Sequence, residues 1–357
     1  MDKFRIDSHK IHFHVDRVHD WLNKTKTVYP VYVEISPAGA CNHRCTFCAV
    51  DYIGYKTRFL EKEMLKGRLT EMADRGVKSI MYAGEGEPLL HKDLAEIIQW
   101  TRKAGIDAAI TTNAVALTEK FCREALSSIT WIKASVNAGT PETYAAVHRT
   151  SAEDFDRVFA NLARAVNIKN TLGLSTALGV QTLLLPENAS EVLPLAKKAK
   201  ATGLDYLVVK PYSQHKKSIT HRYENMRYQE YLSMAEELES LNDEKFSVVF
   251  RENTMQKLDE EEAYYKKCQA TPYFWAYIMA DGDVYGCSAY LEDPRFCYGN
   301  LYQNTFTEIW EGERRRQSAD YVEQGLDITE CRKNCRMDEV NRYLWDIKNP
   351  PAHVNFI

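Results

Sequence analysis

The sequence predicts an α/β fold built on a parallel sheet. Between residues 31 and 210, short β-rich runs alternate with amphipathic helical stretches, and glycines such as Gly76, Gly105 and Gly203 follow the helix ends. Six β/α units in succession require right-handed crossovers, which place parallel strands side by side in one sheet. Periodicity alone leaves open whether this sheet is doubly wound or curled into a barrel.

The predicted elements follow one another in alternation. The expected strands are 31–36, 79–83, 108–112, 131–136, 175–184 and 206–210. The expected helices are 61–75, 92–104, 118–126, 152–170 and 190–201, with Thr118 and Ser190 as N-caps. Outside this region we expect a strand at 10–15 with His12 and His14 on its polar face, a helix at 228–241 and a β-like run at 246–251.

Composition narrows the class of protein. The chain has 357 residues, 45% hydrophobic and 27% charged, which is typical of a globular protein with one large domain or two ordinary ones. Its net charge of −4 argues against a general nucleic-acid binder. No run approaches the roughly 18 apolar residues of a membrane span, so we expect a cytoplasmic protein without membrane contact. Nine cysteines in such a chain indicate metal or redox chemistry rather than structural disulfides.

Three of the cysteines form a tight motif directly after the first predicted strand. Cys41, Cys45 and Cys48 have C-x3-C-x2-C spacing, and closely spaced thiolates are soft ligands for zinc, copper(I) or an iron–sulfur cluster. Three ligands are one short of a closed tetrahedral site, whereas a catalytic centre keeps one position open. His43 as the fourth ligand would strain the loop, so a closed zinc knuckle is the disfavoured alternative.

In its spacing, and in Phe47 before the last cysteine, this loop resembles the cluster-binding loop of the radical S-adenosylmethionine (radical SAM) enzymes. The resemblance implies that Cys41, Cys45 and Cys48 bind three irons of a [4Fe-4S] cluster and that SAM chelates the fourth. It also selects a partial (β/α)6, TIM-like barrel with the loop at the C-terminal rim, where active sites of βα barrels gather.

Residues 83–89, with the sequence AGEGEPL, follow the second predicted strand. A glycine-rich turn at a strand end lets the backbone approach a ligand closely. The segment resembles the family's G-G-E-P motif, which binds the SAM amino group, although the glycine pair of that motif is Glu85-Gly86 here. The resemblance therefore implies that Gly86, Glu87 and Pro88 bind SAM.

Further polar residues match the remaining SAM contacts of the family. Ser135 and Asn137, at the end of the fourth predicted strand, project in the same direction, and the resemblance implies a carboxylate or ribose contact. Arg149 resembles the family's carboxylate-binding arginine. Gln181 and Leu183 are candidates for ribose and adenine contacts. Each position is equally compatible with a structural polar residue at the barrel rim.

Four later cysteines make a second, complete ligand set. Cys268 and Cys287 flank a predicted hairpin that turns at Asp281-Gly282, and Cys331 and Cys335 lie downstream. Such a set is typical of zinc ribbons and all-cysteine iron–sulfur sites. With the sequence YGNL at 298–301, the segment resembles the SPASM/twitch extension of radical SAM enzymes, which binds auxiliary [4Fe-4S] clusters. Its five cysteines favour one auxiliary cluster, in the shorter twitch style, over two.

The fifth cysteine of this region, Cys297, has three possible roles. It is an inert buried thiol, or it replaces one of the four ligands, or it donates a hydrogen atom to a substrate radical as in an epimerase. Cys122, in a predicted helix, is interpreted as a core residue.

The resemblance predicts a domain order and a mechanism. The expected order is an N-terminal extension (1–30), a radical SAM core (31–210), a connector (211–263) and a SPASM/twitch-like domain (264–357). A reducing partner such as flavodoxin or ferredoxin supplies an electron, SAM is cleaved to a 5′-deoxyadenosyl radical, and the radical abstracts a carbon-bound hydrogen. The implied cofactors are SAM and two [4Fe-4S] clusters.

The expected substrate is small and polar. The 30 residues before the barrel are too few for a peptide-recognition domain, so a sugar, aminocyclitol or nucleotide-linked sugar is favoured, with oxidation or epimerisation as the outcome. Two alternatives stay open, a peptide-modifying radical SAM maturase and a non-enzymatic zinc-thiolate protein.

Overall fold

The computed structural model describes residues 4–260 and 263–356. Its strands, in chain order, are β1 (Tyr32–Ile35), β2 (Ser79–Tyr82), β3 (Asp107–Thr112), β4 (Ile129–Ser135), β5 (Ala177–Leu184), β6 (Tyr206–Pro211), β7 (Ser247–Phe250), β8 (Trp275–Ile278), β9 (Asp283–Tyr285) and β10 (Cys297–Asn300). All ten form one sheet in the order β10-β9-β8-β1-β2-β3-β4-β5-β6-β7. The strands from β8 to β7 along this order are parallel, and β9 and β10 are antiparallel additions at one edge.

Helices lie between the parallel strands, before the first strand and after the last one. They are α1 (Val15–Asn23), α2 (Lys62–Asp74), α3 (Leu94–Lys103), α4 (Glu119–Ala125), α5 (Pro141–His148), α6 (Glu153–Thr171), α7 (Val192–Ala201), α8 (Met234–Glu239), α9 (Glu252–Leu258), α10 (Phe306–Glu311), α11 (Glu313–Gln324) and α12 (Asp338–Lys348). Among the helices described, none combines the length and the apolar character needed to cross a bilayer.

The predicted α/β fold is confirmed. All six predicted strands between residues 31 and 210 are present and parallel, and each of the five predicted helices is observed with its ends shifted by about two residues at most. The alternation extends further than the sequence indicated, because β7 pairs with β6 and β8 pairs with β1, both in parallel. The predicted hairpin is also present: β8 and β9 are antiparallel, and Gly282 at the turn has a φ of +89°.

Two predicted elements were wrong. Residues 11–13 form a 3-10 turn that leads into α1, in place of the strand at 10–15, because Val18 and Trp21 pack at helical spacing into the apolar cluster around β8. The single helix expected at 228–241 is a 3-10 turn followed by the short α8. The Tyr228 hydroxyl accepts a hydrogen bond from the Tyr212 N–H at 2.7 Å, which anchors the start of this segment to the end of β6.

The two faces of the sheet differ in their access to water. On β4, Ile132 and Ala134 point to the helices and are 0% exposed, whereas the alternate residues Lys133 and Ser135 are half-buried. The same alternation is seen on β5, where Gln181 is half-buried between buried neighbours. The inner face therefore borders a space open to solvent, which we call the lumen.

A C-terminal segment crosses the open side of the lumen. This bridging loop, residues 331–337, contacts β1 at one edge, where Arg336 lies 2.9 Å from Glu34. At the other edge, Asn334 donates a hydrogen bond at 2.6 Å to the carbonyl of Thr254 in α9. The loop thus reaches from β1, the neighbour of β8, to the helix that follows the edge strand β7, and it crosses the lumen between them.

Candidate active site

The cysteines of the first motif lie in the loop that leaves the carboxyl end of β1. Cys41, Cys45 and Cys48 are free thiols of intermediate exposure. Burial raises the pKa of Cys41 to about 11, and the charges of Glu87 and Cys48 contribute. Burial likewise raises the pKa of Cys45, and the charges of Cys48 and Cys41 contribute, so the three thiols lie within electrostatic reach of one another. Three converging soft donors without a fourth sulfur fit an iron–sulfur cluster with one open iron.

An imidazole that the sequence analysis missed contacts this loop. His148, the last residue of α5, is buried with its Nδ1 3.4 Å from Cys45 Sγ. Its Nε2 accepts a hydrogen bond from the Asn137 backbone N–H at 3.1 Å. Burial, with the charge of His43, holds the pKa of His148 well below its usual range, so the ring is neutral. With Nε2 accepting, the ring proton sits on Nδ1 and points at the Cys45 sulfur.

Two histidines next to the motif offer a different metal site. Ligand atoms of His43, Cys45 and His148 lie within 4.8 Å of one another. The Nε2 of His43 is also 3.5 Å from a carboxylate oxygen of Asp154. A zinc ion on these three residues would use one cysteine of the motif and leave the other two without a role. A set of three thiolates uses every cysteine of the motif and therefore accounts for the motif better than a zinc ion on His43, Cys45 and His148 does.

The glycine-rich loop after β2 packs against the backbone that leads into the cysteine motif. A Cβ atom on Gly86 would lie 2.3 Å from the carbonyl oxygens of both Ala38 and Ala40, so only glycine fits this contact. The Glu87 N–H also donates a hydrogen bond at 2.8 Å to the Ala40 carbonyl. The structure thus brings Gly86 and Glu87 next to the cysteine loop, and Pro88 begins the 3-10 turn that follows.

The buried carboxylate of Glu87 is held by internal hydrogen bonds. One oxygen accepts from the Thr112 hydroxyl at 2.5 Å and from the Leu89 N–H at 3.0 Å. The other accepts from the Asn113 N–H at 2.7 Å. A carboxylate has about four acceptor sites, so about one remains for a ligand. The side chain therefore fixes the loop between β2 and β3, and its capacity for a SAM ammonium group is limited to one further hydrogen bond.

The glutamate that departs from the family pattern has a structural role. Glu85 accepts a hydrogen bond from the Ala280 N–H at 2.7 Å, and its second oxygen lies 2.7 Å from Arg58. Arg58 also pairs with Asp281 in the β8–β9 turn. The position that is a glycine in the family motif here ties the candidate SAM loop to the C-terminal hairpin.

The remaining candidates for SAM contacts separate into two groups. Asn137 is buried, and its side-chain oxygen already accepts a 2.6 Å hydrogen bond from the Leu183 N–H. Ser135 and Gln181 lie side by side on β4 and β5, on the lumen face. Arg149 is exposed at the C-terminus of α5, with a φ of +49°. Ser135 and Gln181 are therefore the two that are both polar and accessible from the lumen.

The C-terminal cysteines form a second thiol cluster. Burial raises the pKa of Cys287 well above its usual range, and the charges of Cys335, Cys268 and Cys331 contribute. Burial also raises the pKa of Cys335 to about 12, and the charges of Cys268 and Cys331 contribute. The hydroxyl of Tyr290 lies 3.2 Å from the Cys331 sulfur. The thiols of Cys268, Cys287, Cys331 and Cys335 thus lie within electrostatic reach of one another.

Cys297 is separate from that cluster. It lies at the start of β10, the edge strand, where its neighbours are Tyr285 and Asp283. Burial raises the pKa of its thiol, and the charge that contributes most is that of Asp283. Its position gives it no thiol partner among the described residues.

Two family models match the chain. Residues 35–199 match the model of the radical SAM superfamily, and residues 268–336 match SPASM, an iron–sulfur cluster-binding domain. SAM, a [4Fe-4S] cluster and auxiliary iron–sulfur clusters are the cofactors of these domains.

Two of the similar proteins have names that refer to a nucleotide substrate. A GTP 3′,8-cyclase of Aquifex aeolicus is 28% identical over 332 residues, covering 87% of this chain and 92% of that protein. An S-adenosylmethionine-dependent nucleotide dehydratase of Lacinutrix mariniflava is 32% identical over 103 residues, which cover 28% of this chain and 21% of that protein. The matches to the other curated relatives cover about half of the length of those proteins or less.

Solved structures share the fold at low identity. Streptococcus suis SuiB bound to S-adenosylmethionine has a TM-score of 0.66 at 16% identity, covering 84% of this chain and 70% of SuiB. The anSMEcpe structure with bound AdoMet has a TM-score of 0.58 at 17% identity, covering 81% of this chain and 82% of anSMEcpe. Together with the two family models, the thiol motif at the end of β1 and the parallel sheet show that this chain belongs to the radical SAM superfamily and carries a C-terminal SPASM domain.

Proposed function

We propose that this radical SAM enzyme abstracts a carbon-bound hydrogen from a small polar substrate held in the lumen. The observation that carries the proposal is the convergence of Cys41, Cys45 and Cys48 with the Gly86–Glu87 backbone at the carboxyl end of β1, directly above an open polar face. In βα folds this end of the sheet is where substrates bind.

The residues have distinct roles in this proposal. Cys41, Cys45 and Cys48 bind the first [4Fe-4S] cluster, and Cys268, Cys287, Cys331 and Cys335 bind one auxiliary cluster. When bound, the first cluster and SAM supply a 5′-deoxyadenosyl radical, and the auxiliary cluster offers an electron acceptor.

The SAM molecule is held by neighbouring loops. Backbone groups at Gly86 and the free acceptor site of Glu87 face its amino group, with Pro88 and Phe47 shaping the loop. Arg149 supplies a guanidinium for its carboxylate. Ser135 and Gln181 offer hydrogen bonds in the lumen, while Asn137 positions His148 and β5.

Oxidation of the substrate fits the structure better than epimerisation. An epimerase needs a hydrogen donor beside the substrate, and Cys297, the candidate donor, lies on β10, which β8 and β9 separate from β1. The electron enters from a reducing partner of the flavodoxin or ferredoxin type. The favoured substrates are a sugar, an aminocyclitol or a nucleotide-linked sugar, and the names of the two relatives add nucleotides to this class.

Anaerobic reconstitution tests the proposal. We expect a brown protein with about eight irons per chain, as two [4Fe-4S] clusters require, that releases 5′-deoxyadenosine from SAM when dithionite is added. A triple Cys41→Ala, Cys45→Ala, Cys48→Ala variant should lose about half of the iron and all SAM cleavage. Cys122→Ala is the matched control and should retain both, because Cys122 packs in the core of α4.

The alternatives predict different results in the same experiment. A colourless, zinc-loaded protein would contradict the proposal and support the zinc-thiolate alternative. Turnover of short peptides but not of polyols or nucleotides would support a peptide-modifying maturase. Deuterium uptake from D2O at the reacting carbon would show epimerisation.

A further inference from the structure

Two lysines on barrel strands point into the lumen. Lys133 on β4 and Lys210 on β6 are half-buried, while the residues that precede them on the opposite face, Ile132 and Val209, are fully buried against helices. The ammonium group of Lys133 lies 4.9 Å from the centre of the Trp131 ring. In the part of the chain that the structure describes, no carboxylate lies within 4.0 Å of either ammonium group. Both lysines are therefore cations without an anionic partner.

The bridging loop brings two arginines to the same space. Arg336 reaches Glu34 on the inner face of β1 and keeps 41% of its side chain exposed. Arg332 donates a hydrogen bond at 3.1 Å to the hydroxyl of Ser213, just after β6, and has no carboxylate partner among the described residues. Arg336 thus reaches the inner face of β1, and Arg332 reaches the segment that follows Lys210 at the end of β6.

The cations are close enough to interact. Burial lowers the pKa of Lys133 to about 7, with the charges of Arg336 and Arg251 contributing. Burial also holds the pKa of Lys210 well below its usual range, and the neighbouring charges that contribute are those of Arg251, Lys133, Arg336 and Arg332. All of these groups therefore lie within electrostatic reach of Lys210, and Arg251 and Arg336 also lie within reach of Lys133.

Basic groups outnumber carboxylates in the lumen. Five basic side chains lie within electrostatic reach of one another or of Lys210, namely Lys133, Lys210, Arg251, Arg332 and Arg336. The carboxylates paired with them are Glu34, on Arg336, and Asp7, on Arg251. Burying the two lysines without a carboxylate disfavours their charged forms, and a bound anion would favour protonation of both.

We propose that Lys133, Lys210, Arg332 and Arg336 form an anion-binding site in the lumen that holds a polyphosphate group of the substrate. This inference rests on the proposed function, because it assigns a chemical class to the ligand of the same lumen. A single carboxylate would pair with one or two of these basic groups, whereas a diphosphate or triphosphate offers enough anionic oxygens to contact all four. Guanidinium and ammonium groups are also the usual protein partners of phosphate oxygens.

A second role for these cations must be separated from substrate binding. Arg332 and Arg336 flank Cys331 and Cys335, so their charges also lie beside a bound auxiliary cluster. The two lysines come from strands on the far side of the lumen and belong to neither thiol loop. An experiment on anion binding should therefore substitute Lys133 and Lys210.

The test measures tripolyphosphate binding to the anaerobically reconstituted full chain by isothermal titration calorimetry. We expect one site per chain, and Lys133→Met and Lys210→Met should each weaken binding by about tenfold to a hundredfold, as expected for lost charged hydrogen bonds. Lys120→Met on the exposed face of α4 is the matched control and should bind as the unmodified chain does. Lys133→Arg and Lys210→Arg should restore most of the affinity.

Several results would overturn the inference. It fails if the unmodified chain does not bind tripolyphosphate, if both methionine variants bind normally, or if Lys120→Met weakens binding equally. Iron content measured on the same samples identifies a misfolded variant. If a methionine variant is misfolded, the affinity of the corresponding arginine variant decides whether the positive charge at that position binds the anion. The proposed function is tested separately, by iron and 5′-deoxyadenosine in the unmodified chain, so either conclusion can fail alone.

Competition identifies the ligand. A purine nucleoside 5′-triphosphate and a nucleotide-linked sugar should displace tripolyphosphate, whereas the unphosphorylated nucleoside should not. Displacement by the nucleotide-linked sugar but not by the nucleoside triphosphate would assign the site to a sugar diphosphate. Equal displacement by a short glutamate-rich peptide would contradict a phosphate site.

Discussion

His148 shows how one side chain can adjust the first cluster. Its Nδ1 proton points at Cys45 Sγ from 3.4 Å, and hydrogen bonds to ligand sulfurs stabilise the reduced, more negative cluster. His148→Phe keeps a ring that stacks on Tyr144, now 4.1 Å from the histidine ring between centres, but removes the donor. We expect the reduction potential to become more negative by on the order of 50 mV, the equivalent of about 1 kcal/mol for one electron.

An anaerobic redox titration followed by electron paramagnetic resonance measures this shift. The control is His19→Phe, because the side chain of His19 is 66% exposed on α1, outside the segments that contact the cysteine motif. An unchanged or more positive potential in His148→Phe, with normal iron content, would show that the imidazole does not donate to the cluster ligand.

Lys133 makes anion binding depend on pH. Its pKa of about 7 in the free protein reflects burial and the charges of Arg336, Arg251 and Lys10, and the Trp131 ring is its nearest described partner. Polyphosphate binding favours the protonated form and raises this pKa. The affinity is therefore full below pH 7 and falls as the pH rises, by up to about tenfold per unit for this one proton.

The measurement compares tripolyphosphate affinity between pH 7.5 and 9 in the unmodified chain and in Lys133→Arg. The arginine stays charged throughout, while ligand ionisation and the titration of Lys210 are common to both proteins. The difference in slope therefore isolates Lys133, and we expect the variant to have the shallower pH dependence. Equal slopes would show that Lys133 is not the group that takes up the proton.

At the scale of elements, local sequence patterns predicted most of the sheet. The strands of the core are short apolar runs bounded by glycines and helix caps, and their parallel order follows from the crossover rule. The pattern was misleading at residues 10–15, where alternating histidines suggested a strand but no neighbouring strand is available to pair with it. It also missed α5, although Thr140 caps this helix and Pro141 occupies its first turn.

The sequence predicted those site residues that lie in one loop. It did not predict contacts between residues from distant elements. The cysteine motif and Gly86–Pro88 are contiguous in sequence, so their chemistry was visible. The contact of His148 with Cys45 spans 103 residues, and the lumen site joins strands β4 and β6 to a loop at 331–337. Neither leaves a spacing signal, because each depends on the register of the sheet.

At the scale of the whole molecule, the bridging loop couples the auxiliary thiol cluster to the lumen. Cys331 and Cys335 lie in the same seven residues as Arg332 and Arg336, so a cluster bound at the cysteines fixes the arginines as well. The first cysteine motif is held independently, by backbone contacts with the loop after β2.

This arrangement predicts a selective effect of Cys331→Ser. We expect the variant to lose about half of its iron and to bind tripolyphosphate about tenfold more weakly, because the arginines lose their anchor although both lysines remain. Reductive SAM cleavage without substrate should persist, since Cys41, Cys45 and Cys48 are unaffected. Iron analysis, calorimetry and 5′-deoxyadenosine release measure the three effects.

Cys297→Ala is the matched control, because Cys297 is the cysteine of this domain that stands apart from the thiol cluster. It should retain the iron and the affinity. Iron loss in Cys297→Ala would make Cys297 a ligand, and lost product formation with normal iron would make it the hydrogen donor of an epimerase. Half of the iron lost in Cys331→Ser with unchanged affinity would mean that the lysines bind the anion without the bridging loop, because only the loop depends on the auxiliary cluster for its position.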